Sequence, residues 1–124
     1  MTMKTARQLA LGVVFLWAMT NAHATMIVEQ KEVSVSHALA GHVAVLGTEE
    51  PASGVTVELY SSDWKTVLAS TKTDAKGHFS LEKPRNGKLF YIRLSAPGMN
   101  IYQLRVRIDS RATQELKIHL SVAT

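Results

Sequence analysis

The chain has 124 residues, no cysteine and a net charge of +4, from fourteen Lys and Arg against ten Asp and Glu. That length holds one domain and not two. The lack of cysteine excludes disulfides, a thiol nucleophile, cysteine-ligated zinc and a lipidated cysteine at the N-terminus.

The first 24 residues read as a signal peptide. Lys4 and Arg7 precede the apolar stretch Leu9 to Met19, and Ala22-His23-Ala24 sets small residues at the two positions a signal peptidase reads. Ala22 and Ala24 therefore mark the expected cleavage site. The apolar run is about half of the ~20 residues a membrane-spanning helix needs. Removing Lys4 and Arg7 leaves twelve basic residues against ten acidic. So small an excess does not point to nucleic acid. Residues 25–38 alternate weakly and are expected to form an N-terminal arm or an edge strand.

From residue 39 to 124 the pattern has period two. Val55, Val57 and Leu59 oppose Thr56, Glu58 and Tyr60. Phe90, Ile92, Leu94 and Ala96 oppose Leu89, Tyr91, Arg93 and Ser95. Leu104, Val106 and Ile108 alternate with Gln103, Arg105, Arg107 and Asp109, and Leu116, Ile118, Leu120 and Val122 with Glu115, Lys117, His119 and Ser121. Such runs bury one face of a strand and wet the other. Seven strands are expected near residues 40–46, 54–61, 65–73, 77–82, 88–96, 101–109 and 114–122. Turn signals separate them, the clearest being Asp74-Ala75-Lys76-Gly77. There an Asp can accept from backbone N–H groups ahead of it, and a Gly tolerates positive φ. Asp74 and Gly77 are read as structural. The spacing fits an all-β fold, a seven-stranded antiparallel β-sandwich.

Three segments resemble the carboxypeptidase regulatory-like domain: Gly54-Val55-Thr56-Val57, Thr73-Asp74-Ala75-Lys76-Gly77-His78-Phe79-Ser80-Leu81, and the strand ending in Ala96-Pro97-Gly98-Met99. The likeness covers about residues 38–122. It implies a transthyretin-like (prealbumin-like) sandwich and a mostly non-catalytic accessory module. A relative with that fold, 5-hydroxyisourate hydrolase, is an enzyme whose Tyr-Arg-Gly-Ser tail builds its site. This chain ends Leu120-Ser121-Val122-Ala123-Thr124 instead.

No motif here joins a nucleophile to a base. Gly-x-Ser-x-Gly is absent, and the histidines His37, His42, His78 and His119 lack the close spacing of zinc ligands. No catalytic residue, cofactor or metal is expected. The outward basic residues Arg93, Arg105, Arg107, Lys117 and His119 could form one basic stripe if their strands share a sheet. Trp64, with Tyr60, Tyr91 and Tyr102 read as partly outward, could add aromatic rings for stacking. The expected function is an exported, periplasmic or secreted, non-catalytic interaction module of the cell envelope. It would bind a protein partner or itself, through an edge strand or this aromatic-basic face. The alternatives are binding of carbohydrate or an anionic envelope polymer and, last, a small hydrolase.

Overall fold

The computed structural model describes residues 26–30 and 32–123. The expected signal peptide, with Ala22 and Ala24, lies outside the described residues. The described part is all-β. Its strands are β1 (Ile27–Glu29), β2 (Val33–Val35), β3 (Leu39–Val45), β4 (Thr56–Tyr60), β5 (Val67–Lys72), β6 (His78–Leu81), β7 (Leu89–Ser95), β8 (Ile101–Ile108) and β9 (Leu116–Leu120). Strands β3 to β9 are the seven that the alternation marks out. The N-terminal arm adds β1 and β2.

The strands form two sheets. The larger runs β1-β8-β7-β4-β5, with β2 also on β8; the smaller runs β6-β3-β9. Both arm strands lie along one edge of β8, Ile27 opposite Ile101 and Val33 opposite Val106. The expectation of a wholly antiparallel sandwich is corrected in three pairings. β1 and β2 run parallel to β8, and β9 runs parallel to β3. Parallel neighbours need a long crossover, which only residues far apart in sequence can supply. The β3–β9 pair has most of the domain between its strands.

The core is made by the inward half of each alternating run, with one correction: Val122, expected inward, lies past the end of β9 at Leu120 and is 58% exposed. Val43, Val57, Ile92, Leu94, Val106 and Leu120 have no accessible surface, and Phe79 retains only 5%. In the larger sheet, Val57, Leu94 and Tyr102 stand in one cross-strand row, and Leu59, Ile92 and Leu104 in the next. Each such aliphatic contributes roughly 1.5–3 kcal/mol by leaving water. The pairing of β3 with β9 also depends on Gly41, which stands opposite Leu116. A Cβ there would strike the carbonyl oxygen of Leu116 and lie 2.9 Å from the Leu116 Cβ.

The Asp74–Gly77 turn forms as its residues dictate. Asp74 Oδ1 accepts from the N–H groups of Lys76 and His78, each at 2.9 Å. Gly77 has φ of 80°, and a Cβ on it would collide with the Val43 carbonyl. The turn thus needs glycine both for its conformation and for its close approach to β3.

Candidate functional site: an aromatic and arginine cluster on the larger sheet

Strand register assembles this site. Tyr60 stands opposite Tyr91, and Tyr91 opposite Arg105; one row along, Glu58, Arg93, Gln103 and Glu29 stand in line across β4, β7, β8 and β1. Period-two alternation sends all of these to the outer face while Leu59, Ile92 and Leu104 point inward.

Trp64 joins them from the connection between β4 and β5. Its backbone is left-handed, with φ of 62°. That conformation is a genuine outlier for a bulky side chain and costs on the order of 1–3 kcal/mol. The surrounding turn enforces it. Asp63 Oδ1 accepts from the Ser61 hydroxyl at 2.6 Å and from the Lys65 N–H at 3.0 Å. The Ser61 oxygen accepts from the Thr66 N–H at 3.0 Å, and Trp64 N–H donates to the Ser61 carbonyl at 2.9 Å. The hydrogen bond from Ser61 and then that from Lys65 hold the Asp63 carboxyl below its ordinary range.

The held tryptophan is stacked on three neighbours. Its ring meets Tyr91 edge to face, centroids 5.4 Å apart and planes at 90°, and lies 5.7 Å from Tyr60. The Arg93 guanidinium sits 4.5 Å from the Tyr60 centroid and 5.4 Å from that of Trp64, within cation–π range. Arg93 also donates to the Tyr60 hydroxyl at 3.3 Å, and that hydroxyl donates to Glu58 at 3.3 Å. With its amide oxygen turned to Arg93, the buried Gln103 accepts from Arg93 Nε at 2.9 Å and from an Nη. Arg93 is thus a fixed internal strut of the cluster and not a free surface charge.

Beside this stack lies a concavity of about 360 Å³, lined by Glu29, Gln30, Trp64, Tyr91, Gln103 and Arg105 together with Leu104. Arg105 and Glu29 are exposed at its rim, and neither forms an ion pair among the described residues.

The single basic stripe is corrected. Arg93, Arg105 and Arg107 do share the outer face of the larger sheet, but Lys117 and His119 lie on β9 in the other sheet. The alternation of β9 shows which residues face out; its pairing with β3 decides which surface they join. There they stand with His42 and His78, His42 pairing in register with both His78 and Lys117. The His42 and His78 rings meet at 5.0 Å, and the His119 ring nitrogen lies 2.9 Å from a Glu49 oxygen. Arg107 is drawn out of the cluster by Glu32 on the arm, Nε to Oε2 at 2.7 Å. That hydrogen bond lowers the Glu32 pKa and raises the Arg107 pKa.

One contributor went unmarked in the sequence. Gln103 reads as an ordinary outward polar residue, and its anchoring of Arg93 follows only from the β7–β8 register. Tyr102, an aromatic expected partly outward, packs against the core, and burial raises its pKa.

Comparison with known proteins adds the family. No curated protein matches the chain. Residues 36–123 match the family model described as BOS complex subunit NOMO1-like, second beta sandwich domain. The likeness to the carboxypeptidase regulatory-like domain thus holds at the level of the β-sandwich and not for that family in particular. With well over half of its length matched, the chain belongs to the NOMO1-like second beta sandwich domain family.

Proposed function

We propose that this chain is an exported, non-catalytic interaction module of the cell envelope that binds a protein partner by strand addition. The observation that carries the reading is the edge of β5, which pairs with no strand other than β4 among the described residues. This strand ends the larger sheet, and Val67 and Leu68 on it are 44% and 56% exposed. An edge strand offers unpaired N–H and C=O groups, and two aliphatics in water give a partner strand apolar surface to cover. The bulge between Leu59 and Tyr60 displaces Leu68 from the regular ladder. Such a bulge limits indiscriminate edge pairing while leaving a shaped edge. The family description, a domain of a complex subunit, agrees with a protein partner. Export rests on the N-terminal pattern of Lys4, Arg7 and Ala22-His23-Ala24.

Because the chain has no cysteine, Ser70→Cys and Lys117→Cys give single attachment points for a crosslinker on opposite sheets. In cells that export the protein, a discrete adduct is expected from position 70 and not from position 117. Leu68→Asp should abolish it. Equal adducts from both positions, or none from position 70, would overturn the reading. The mass of the exported protein should correspond to loss of residues 1–24.

A further inference from the structure

We infer that the concavity between Trp64, Tyr91 and Arg105 is a saccharide-binding subsite. The proposal is independent of strand addition at β5, since it uses the outer face of the sheet and not its edge.

Three observations converge on a sugar ring. The first is the left-handed backbone of Trp64. A glycine or asparagine would make this turn at less cost, so the fold alone does not call for a tryptophan here. Strain of this kind clusters where a side chain must be presented to a ligand. The second is immobilisation. Tyr91 braces Trp64 edge to face, Arg93 packs against both Trp64 and Tyr60, and buried Gln103 holds Arg93. The indole therefore loses little further freedom when a ligand arrives, which lowers the entropic cost of binding.

The third is the rim. Around a half-exposed indole stand a guanidinium from Arg105, a carboxylate from Glu29 and a carboxamide from Gln30. A purely anionic ligand would meet Glu29, and a purely apolar one would leave both charges unsatisfied on desolvation. A pyranose suits both. Its C–H face covers the aromatic ring, and its hydroxyls accept from Arg105 and donate to Glu29. At about 360 Å³ the concavity is at the small end of ligand pockets, the size for one or two sugar rings.

The probes are three neutral trisaccharides: cellotriose, maltotriose and tri-N-acetylchitotriose. Each is titrated into the purified protein while amide and indole resonances and tryptophan fluorescence are followed. At least one should shift signals of Trp64, Tyr91, Gln103 and Arg105 together. Trp64→Asn keeps a residue suited to left-handed backbone and should weaken that binding at least tenfold; Arg105→Gln should weaken it severalfold. Lys117→Ala, on the other sheet, should leave it unchanged. Thermal melts establish that each variant is folded. Absence of any shift at these residues with all three probes would overturn the proposal. So would equal affinity in folded Trp64→Asn, or shifts produced by a proline-rich peptide and by none of the sugars. Leu68→Asp should leave sugar binding intact, which separates failure here from failure of strand addition.

Discussion

Thr73 shows how much one polar side chain can hold. It is buried, its hydroxyl donates to the Ala52 carbonyl at 2.6 Å, and it accepts from the Val55 N–H at 2.9 Å. These two bonds tie the segment before β4 to the end of β5. In the sequence Thr73 is merely the residue before the Asp74 turn. Thr73→Val keeps shape and volume but orphans a buried donor and a buried acceptor. An unmade bond of this kind costs about 1–3 kcal/mol. Urea unfolding should show that loss, with an unchanged slope if the variant folds alike. A midpoint equal to the parent's would mean that neither bond matters.

At the scale of elements, the two arm strands are unequal. β2 contributes Val35 to the core at 4% exposure, whereas Ile27 on β1 is 53% exposed. The β2 end is further tied by the Asp109 N–H to the Val35 carbonyl at 2.8 Å and by the Arg107–Glu32 pair. Val35→Ala should therefore destabilise the fold by about 1–2 kcal/mol, and Ile27→Ala by less than about 0.5 kcal/mol. Hydrogen exchange should follow the same order, with amides of β1 opening well before those of β2. Equal protection would contradict this division. The weak alternation of residues 25–38 left an arm or an edge strand open. The answer, two short strands on β8, depends on the vacant edge β8 offers, which a local pattern does not reveal.

For the whole molecule, acid should act through a few surface carboxylates. Asp63, Asp74, Asp109 and Glu32 all have folded-state pKa values below the ordinary 3.8 for Asp and 4.5 for Glu. The leading causes are hydrogen bonds from the Ser61 hydroxyl, the His78 N–H, the Arg111 side chain and the Arg107 side chain, in that order. A depressed folded pKa adds stability that is full above the unfolded value and lost as pH falls through the folded value. The contribution of these carboxylates to stability should therefore be lost as pH falls below about 4.5. Asp74→Asn should flatten part of that decline, and a melting temperature that rises on acidification below 4.5 would refute the assignment. At this scale the division between sequence and structure is plain. The all-β class, the seven main strands, nearly all of their inward residues and the Asp74–Gly77 turn were legible because each rests on geometry local to a few residues: strand alternation and turn stereochemistry. Which strands become neighbours is set by pairing between segments distant in the chain. Only the tertiary structure could separate Lys117 and His119 from the arginines, seat the arm on β8, and bring Trp64, Tyr91, Arg93 and Gln103 together.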